Sequence, residues 1–401
     1  MSILMCSIDC DILISGGGVA GLTAAAAFGA SGFDVVIVDP APPITAATDV
    51  GADLRTTAFL QPARDFLIQA GLWRTLQPYS TPLQVMRIVD ASQEEAVVRS
   101  FDAADISDEP FGWNLPNWLL RREMVARLEG LPNVTFLTSV GFKSMVSRTS
   151  GAVVRLTDGQ RVNAQLVIGA DGRGSPVRAA AGIETATSRY GQTALTFAVT
   201  HAASHDNIST EVHKAGGPFT LVPLPDHEGQ PCSAVVWMTS NADAQRLLAL
   251  DENAFGAEAT NRSAGIMGPL SLATRRTSWP IISQIADGLI GPRTALVAEA
   301  AHVMPPIGAQ GLNMSLTDLQ CLLDLCEANR DQLGAPEMLD AYQRARHRDI
   351  QLRVKGIDML NRASIAGNPI LQEMRRWGMQ ALHDIKPIRT TLMQMGLGAK
   401  S

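Results

Sequence analysis

The chain has 401 residues, enough for two or three domains and a large hydrophobic core, which argues against a fibrous or disordered protein. Its 33 Lys and Arg residues are outnumbered by 39 Asp and Glu residues, and the formal net charge of −6 argues against binding to nucleic acid. Charged residues make up only 18% of the chain, so the composition is compatible with an apolar ligand, partner or membrane surface.

The cysteines and the absence of targeting signals indicate the cell compartment. The five cysteines form no Cys-x-x-Cys pair, as is common in a reducing compartment. The first residues lack the basic region and cleavage site of a signal peptide, and no segment reaches the roughly 20 uncharged apolar residues of a membrane-spanning helix. We therefore expect a cytoplasmic protein whose contact with a membrane, where there is one, is peripheral at its inner face.

A strand, a glycine turn, a helix and a second strand follow one another at the start of the chain. The first strand covers residues 9–15, the turn is Gly16-Gly17-Gly18, the alanine-rich helix covers residues 19–32 and the second strand covers residues 34–39. This order predicts a βαβ unit of the Rossmann type within an α/β fold.

Three glycines and one acid of this unit form a dinucleotide-binding motif. Gly16, Gly18 and Gly21 have the spacing Gly-x-Gly-x-x-Gly, in which the first permits a tight turn, the second lets backbone approach a pyrophosphate and the third lets helix and strand pack closely. Asp39 ends the second strand, where a carboxylate can accept hydrogen bonds from ribose hydroxyls. The alternative is a glycine turn beside a helix, with Asp39 as an ordinary exposed acid. The motif does not distinguish FAD from NAD.

The remaining elements are predicted from hydrophobic periodicity. We expect a helix over residues 55–72, strands over 83–101, a loop over 110–116, a helix over 121–128, short strands over 134–156 and a strand over 166–169. Residues 192–280 have short alternating runs and predict a second, sheet-based domain. A strand over 294–298, a helix over 312–328 and a helical region from residue 337 onward complete the chain.

Two more motifs contain candidate binding residues. The predicted strand over 166–169 leads into Asp171-Gly172, and this stretch resembles the Asp-Gly motif of flavoprotein aromatic hydroxylases. Residues 295–313, in which a strand ends in Glu299 and a Pro-Gly loop leads into a helix, look like the second flavin motif of the same superfamily. Three motifs in the expected order along the chain imply that the cofactor is FAD.

The third motif has chemistry suited to a flavin. Glu299 can accept hydrogen bonds from ribityl hydroxyls, and the start of the following helix carries partial positive charge that stabilises an anionic reduced flavin. Glu299 as a surface acid is the alternative, and His302 is interpreted as a structural histidine. The resemblance assigns further cofactor contacts to the loop and helix start, namely Pro306, Gly308, Gln310, Gly311, Leu312 and Asn313.

One position departs from the superfamily pattern. The superfamily usually has Gly-Asp at this strand end, whereas the chain has Ala298-Glu299. Glutamate keeps the charge and the acceptor oxygens of aspartate but is longer by a methylene group, so the contact with the ribityl chain has to shift. Flavin binding is still expected, with an altered geometry.

Within the superfamily, the stretch Asp53-Leu54-Arg55-Thr56-Thr57-Ala58-Phe59 resembles the ubiquinone-biosynthesis hydroxylases, which act on polyprenylated phenols. Arg121 begins an Arg-x-x-apolar pattern that is similar to theirs. The resemblance implies that Arg55 and Arg121 contact the flavin, and a solvated arginine on a helix is the alternative at each position. The loop of the third motif is also similar to that of para-hydroxybenzoate hydroxylase. Because of this similarity, a soluble phenol is the alternative substrate.

The resemblance implies a Rossmann-type FAD-binding domain, an inserted substrate domain with a mixed or antiparallel sheet, and a helical C-terminal region. We expect the FAD-binding domain at residues 1–75, 120–185 and 280–335, and the substrate domain at residues 76–119 and 186–279. The helical C-terminal region is expected at residues 336–401. Apolar residues of the C-terminal region, among them Met359 and Leu360, lie between Arg and Lys residues. A helical cap over the protein's own core is favoured, and a helix facing a membrane or a biosynthetic complex is the alternative.

The resemblance also implies a reaction. An external donor, either NAD(P)H or an electron-transfer protein, reduces FAD, which reacts with O2 to a C4a-hydroperoxide that hydroxylates an electron-rich aromatic ring. No pattern in the sequence identifies a catalytic base or a metal site. We favour a polyprenylated phenol as the substrate. A hydroxylase of a soluble aromatic acid and a flavin-binding scaffold without turnover are the alternatives.

Overall fold

The computed structural model describes residues 7–92, 96–214 and 216–365. The strands in these ranges are β1 (Ser7–Ser15), β2 (Val35–Asp39), β3 (Thr56–Leu60), β4 (Thr81–Leu83), β5 (Val85–Asp90), β6 (Val97–Asp102), β7 (Gly112–Pro116), β8 (Val134–Thr138), β9 (Phe142–Arg148), β10 (Gly151–Leu156), β11 (Arg161–Gly169), β12 (Thr185–Thr200), β13 (Ile208–Lys214), β14 (Gly217–His227), β15 (Gln230–Ser240), β16 (Ser271–Leu272), β17 (Thr277–Ala286), β18 (Ile290–Gly291), β19 (Thr294–Leu296) and β20 (His302–Val303). The α-helices are α1 (Val19–Ala30), α2 (Gln61–Gln69), α3 (Trp73–Leu76), α4 (Asn117–Glu129), α5 (Pro176–Ala180), α6 (Asn241–Leu248), α7 (Glu252–Arg262), α8 (Gln310–Ala328) and α9 (Pro336–Ile365).

The N-terminal glycine motif lies in a largely parallel sheet. The strand order is β18-β19-β11-β1-β2-β8, with β10 and then β9 added antiparallel beside β11. β1 lies in the middle and pairs in parallel with both β2 and β11. The ends of β1 and β11 and most of β2 are runs of Val, Ile and Leu, as is typical of central strands that are covered on both faces.

Helix α1 packs on this sheet with an almost fully buried surface. Its residues from Ala20 to Gly29 are buried, since a helix of small side chains can approach a sheet closely. Thr23 Oγ1 also donates to Met124 Sδ at 3.7 Å, which joins α1 to α4. The predicted βαβ unit is confirmed, with the helix ending at Ala30 rather than at residue 32.

A second sheet follows the order β20-β17-β12-β15-β14-β13-β5-β6, with β16 beside β12. Its strands pair antiparallel except for β5 and β13, which are parallel. Helix α7 covers it, and Phe255 of that helix contacts Phe197 with ring centroids 4.9 Å apart. The chain therefore has the expected α/β fold class with a second, mainly antiparallel sheet, and the limits of the domains stay a prediction.

Two predicted elements were wrong in the third, three-stranded sheet, β3-β7-β4. Residues 55–72 form β3 followed by α2 rather than one helix, and the predicted loop over 110–116 contains β7. Thr56 and Thr57 are β-branched and favour a strand, and β3 pairs with β7 along its whole length. Hydrophobic periodicity does not show such a pairing, because the two partners lie far apart in the sequence.

The helical C-terminal region is confirmed as far as Ile365, and the part of the prediction after that residue lies outside the described residues. Helices α4 and α8 begin slightly earlier than predicted, at Asn117 and Gln310. One face of α9 is buried on the rest of the molecule, and it carries Met338, Leu339, Tyr342, Ile350, Val354 and Ile357. Met359 and Leu360, which the favoured cap interpretation places on the protein's own core, are exposed instead, so the interpretation is wrong for these two residues. Within the described ranges, no helix is both long enough and apolar enough to cross a membrane.

Candidate functional site

The predicted binding motifs meet at one edge of the parallel sheet. In the register of β2, β1, β11 and β19, Ser15 lies opposite both Val38 and Gly169, and Gly169 lies opposite Leu296. The chain therefore leaves all four strands at the same edge, and the motif residues that follow them lie side by side. With adjacent strands about 4.8 Å apart, the edge from β2 to β19 spans roughly 14 Å.

The glycines of the first motif differ in what surrounds them. Gly16 has a φ of +114°, and a Cβ there would lie 2.3 Å from the Ala170 carbonyl oxygen. A Cβ on Gly21 would lie 1.9 Å from the Gly16 carbonyl oxygen, so a side chain at either position collides with backbone. A Cβ on Gly18 would meet no atom within 4 Å. The space in front of Gly18, at the start of α1, is thus open to a ligand.

Asp39 lies at the end of β2 and faces the glycine turn. Its Oδ2 accepts a hydrogen bond from the Gly17 backbone N–H at 2.5 Å, and its Oδ1 accepts one from Ala41 N–H at 2.8 Å. These bonds hold the carboxylate beside the turn. Each carboxylate oxygen has further lone pairs that can accept from a ligand hydroxyl.

Asp171 follows β11 and has an unused acceptor. Its Oδ2 accepts from the Val177 N–H at 3.2 Å and from Ser15 Oγ at 3.3 Å, whereas its buried Oδ1 has no hydrogen-bond partner in the part of the chain that the structure describes. Burial raises the pKa of Asp171 despite these hydrogen bonds. Gly172 turns the chain with a φ of +81°. A buried, unsatisfied carboxylate oxygen at the strand edge fits a ligand that donates a hydrogen bond.

The third motif begins with a strained residue. Strand β19 ends at Leu296 rather than at residue 298, and Ala298–Ala300 form a short 3-10 helix. Ala298 has a φ of +54°, a left-handed conformation that glycine adopts more easily. Glu299 therefore follows a turn, not a strand end, and its side chain is exposed at the sheet edge.

The loop after this turn leads into α8, whose preceding residue, Ala309, has a φ of +55°. Pro306, Gly308 and Gly311 are exposed, and Gln310 and Leu312 are half-buried. Asn313 is buried and joins α8 to β3, because its Oδ1 accepts from the Leu60 N–H at 2.8 Å and its Nδ2 donates to the Ala58 carbonyl at 2.7 Å. The predicted contact Asn313 thus has an architectural role of its own.

Arg55, just before β3, is held by groups to which the sequence assigned no role. Asp53 accepts from Arg55 Nε at 2.8 Å and from its terminal nitrogen at 2.7 Å, and Asn117 Nδ2 donates to Asp53 at 3.0 Å. The guanidinium lies 4.0 Å from the centroid of the Trp279 ring. Burial alone would raise the pKa of Asp53, but the hydrogen bonds and charge of Arg55 outweigh it and lower the pKa below its usual value.

The charge of Glu299 also acts on Arg55. Burial lowers the pKa of this arginine. The hydrogen bonds and charge of Asp53 and, more weakly, the charge of Glu299 together raise it by a larger amount, so the net shift is upward. Arg121 lies one turn after Asn117 on α4. Its Nε is buried and has no hydrogen-bond partner among the described residues. Arg121 therefore offers a donor that fits an anionic or polar ligand.

His302 belongs to a buried ionic network behind the third motif. Its Nε2 lies 2.7 Å from Asp318 Oδ2, and Arg346 Nε donates to the other Asp318 oxygen at 2.7 Å. All three side chains are buried. The structural interpretation of His302 agrees with this position, since the network ties β20, α8 and α9 together.

Comparison with known proteins shows to which family the chain belongs. A family model described as an FAD binding domain matches residues 9–355. The ubiquinone hydroxylase UbiL of Rhodospirillum rubrum is 34% identical over 391 residues, which cover 97% of this chain and 89% of that protein. The chain belongs to the ubiquinone-hydroxylase family of FAD-dependent enzymes. Another relative, the 3-demethoxyubiquinol 3-hydroxylase of Escherichia coli, is 25% identical and is matched over 97% of this chain and 98% of its own length.

Solved structures show the same fold in other monooxygenases. The p-nitrophenol 4-monooxygenase PnpA of Pseudomonas putida aligns with a TM-score of 0.80 and 17% identity, covering 98% of this chain and 99% of its own. PqsL of P. aeruginosa, in complex with 2-aminobenzoylacetate, aligns with a TM-score of 0.75 and 22% identity, covering 89% and 97%. At these identities the similarity shows the fold alone.

Family membership and fold confirm the predicted activity at its general level. The protein is an FAD-dependent monooxygenase of the aromatic hydroxylase type, which uses an aromatic substrate, O2 and a reductant. The residues fit the cofactor in two respects. Within the described ranges, the edge of the sheet has open space at Gly18, and polar atoms of Asp171 and Arg121 have no hydrogen-bond partner.

Proposed function

We propose that this enzyme hydroxylates the aromatic ring of a polyprenylated phenol in ubiquinone biosynthesis. The observation that carries the proposal is the 34% identity to a ubiquinone hydroxylase along nearly the whole chain. The glycine turn, Asp39 and Asp171 of the present chain support it, because they follow neighbouring strands at one edge of the sheet on which an extended dinucleotide can lie.

In this proposal each motif holds one part of FAD. The backbone at Gly16 and Gly18, with the start of α1, binds the pyrophosphate, and Asp39 accepts from the adenosine ribose. Asp171 and Glu299 accept from the ribityl chain, and Arg121 donates its unpaired Nε–H to a polar group of the cofactor. Two further groups would complete the set: Gly21 and Gly172 shape the turns, and the residues that would contact the flavin are Arg55, Pro306, Gly308, Gln310, Gly311, Leu312 and Asn313.

The protein's part in the reaction is to bind, orient and exclude water. When bound, the flavin supplies the activated oxygen for ring hydroxylation. The start of α8 would carry partial positive charge, which favours negative charge on the reduced cofactor. The second sheet, with β17 and its Trp279 beside Arg55, forms the wall against which an aromatic substrate is held.

The finer features of the enzyme follow the same proposal. The FAD-binding domain comprises residues 1–75, 120–185 and 280–335, and the substrate domain comprises 76–119 and 186–279. The sequence has one Gly-x-Gly-x-x-Gly motif. The reductant is therefore NAD(P)H that binds transiently or an electron-transfer protein. A substrate with a polyprenyl tail is held in lipid, so the enzyme works as a cytoplasmic protein at the inner face of the membrane.

The test begins with the chromophore of the purified full chain. We expect bound FAD, identified after its release, and oxygen uptake with NADH or NADPH or a reduced electron carrier that rises when a short-chain prenylated phenol is added. The product should contain one added hydroxyl group by mass spectrometry. Faster turnover of para-hydroxybenzoate would contradict the prenylated substrate, and bound FAD without oxygen uptake under any donor would indicate a scaffold.

A further inference from the structure

The outer face of α9 carries side chains that the core of the protein does not use. Arg344, Arg348, Leu352, Lys355 and Met359 follow one another at spacings of three or four residues, so they lie on one side of the helix. All five are exposed, and the exposed fraction is 62% for Leu352 and 69% for Met359. We call these five residues the α9 outer stripe. It is roughly 22 Å long at 1.5 Å per residue.

The opposite face of α9 fixes the direction in which the stripe points. Tyr342, Ile350 and Val354 of that face are buried. The Tyr342 hydroxyl donates to the Leu296 carbonyl at 3.0 Å, and Tyr190 of β12 donates to Asp358. The two hydrogen bonds join α9 to the rest of the molecule near Tyr342 and near Asp358. The stripe, on the opposite side of the helix, therefore faces away from the protein.

The stripe is cationic although the whole chain has a net charge of −6. Arg344, Arg348 and Lys355 have no ion pair or hydrogen bond to any described residue. The acids between them and just beyond are occupied, since Asp349 pairs with Arg346 at 3.0 Å and Asp358 pairs with Arg362 at 2.9 Å. Three cations without a partner among the described residues and two exposed apolar side chains thus lie along one line.

We infer that the α9 outer stripe binds the anionic phospholipid surface of a membrane. Cations spaced along a helix attract anionic headgroups, and apolar side chains between them can enter the boundary between headgroups and acyl chains. A protein partner with an acidic and apolar surface would be the other occupant, and the experiment below distinguishes it from a membrane. The argument for membrane binding uses only the residues of α9. The role of that binding, which is to bring the site to a lipid-tailed substrate, rests on the proposed function.

The experiment measures binding of the full-length holoenzyme to vesicles by co-sedimentation. We expect binding to phosphatidylcholine vesicles that contain phosphatidylglycerol, weak binding to phosphatidylcholine alone, and loss of binding at high salt. The triple variant R344Q/R348Q/K355Q should bind anionic vesicles on the order of 100-fold more weakly, from about fivefold for each cation. The variant L352Q/M359Q should also weaken binding, by roughly tenfold.

Matched controls come from the β9–β10 hairpin. Lys143, Arg148 and Arg155 are exposed there, and Val146 is 62% exposed, the same fraction as Leu352. The variants K143Q/R148Q/R155Q and V146Q remove the same charge and one apolar contact elsewhere, so they should bind anionic vesicles like the wild type. Flavin content and the hydroxylation of a short-chain prenylated phenol in solution should be unchanged in every variant.

Two results would overturn the inference. Wild-type protein that does not bind anionic vesicles, or stripe variants that bind as tightly as the hairpin controls, would show that another surface or no surface meets the membrane. Stripe variants that keep vesicle binding but change the oligomeric state would assign the stripe to a protein partner. Failure of the proposed function would appear separately, as absent turnover of the short-chain phenol with vesicle binding intact.

Discussion

At the scale of single residues, the glycines of the turn after β1 meet two different requirements, close backbone packing and space for a ligand. The spacing of the motif does not show which glycine meets which requirement. A Cβ on Gly21 would overlap the Gly16 carbonyl oxygen at 1.9 Å, whereas a Cβ on Gly18 would meet nothing within 4 Å. Gly21 is therefore needed for folding, and Gly18 is free to serve the ligand.

Two alanine substitutions test this separation. We expect G21A to destabilise the protein without cofactor by about 3 kcal/mol or more, because backbone has to move. G18A should leave that stability within about 0.5 kcal/mol of the wild type and lower FAD affinity at least tenfold, since the methyl group occupies the space of the pyrophosphate. Denaturant unfolding of the deflavinated protein and titration with FAD measure the two effects. Equal loss of stability in both variants would contradict the assignment.

Ala298 gives a second prediction at this scale. Its φ of +54° strains an alanine but not a glycine, so A298G should raise the free energy of unfolding by about 0.5–1 kcal/mol. Ala300, in the same 3-10 helix, has no positive φ and is buried, so the control A300G should lower it by about 1 kcal/mol. Thermal unfolding of both variants without FAD checks the signs. A destabilised A298G variant would show that the lost methyl contacts outweigh the strain.

At the scale of elements, side chains that join separate segments hold the candidate site in place. Asp53 connects the segment before β3 with the start of α4 through Arg55 and Asn117. Asn313 connects α8 with β3, and Asp318 connects α8 with His302 and Arg346. The loops that carry the binding residues are thus anchored by polar contacts between elements, and not only by the hydrophobic core.

Replacement of Asp53 should have a pH-dependent cost. The folded-state pKa of Asp53 is lowered, so its contribution to stability is fully present above its unfolded pKa, about 3.9, and is lost as pH falls through the lower folded value. D53N should therefore cost about 2 kcal/mol at pH 7 and progressively less below about pH 4. Chemical unfolding of both proteins across this range provides the measurement.

The control for this prediction is a more exposed ion pair. Asp65 pairs with Arg64 at 2.9 Å, but its side chain is 36% exposed, so D65N should cost less than about 1 kcal/mol at pH 7. A D53N cost that does not change with pH would show that the carboxylate charge is not what holds Arg55.

At the scale of the whole molecule, bound cofactor should stabilise the folded protein by contacting several separate elements at once. The proposed site draws on strand ends of the parallel sheet, on the α8 loop and on Arg55 beside β17. A ligand that contacts all of them stabilises the folded protein by mass action, by about 2.7 kcal/mol at a concentration 100 times the Kd.

Thermal unfolding of the deflavinated protein at increasing FAD concentration tests this. We expect the Tm to rise continuously with FAD concentration. Riboflavin, which lacks the pyrophosphate and adenosine, should raise the Tm much less because it leaves the Gly18 and Asp39 part of the edge empty. Equal shifts for the two ligands would contradict the proposed placement of the dinucleotide along the β2 to β19 edge.

Local patterns in the sequence determined the βαβ unit, the order of the three motifs, the second sheet and the C-terminal helical region. These follow from residues close together in the chain, whose periodicity and turn chemistry act over a few residues. The same motifs implied FAD and the aromatic-hydroxylase reaction, which family membership confirms.

Tertiary structure decided what depends on residues far apart in the sequence. The β3–β7 pairing turned a predicted helix and a predicted loop into strands, because a strand becomes stable only when a distant partner accepts its hydrogen bonds. The anchoring of Arg55 by Asp53 and Asn117 and the burial of His302 against Asp318 likewise need contacts between separate elements. Ala298 in its left-handed conformation has no local sequence signal, and neither has the Asp171 oxygen that lacks a partner among the described residues, since each results from how the surrounding elements pack.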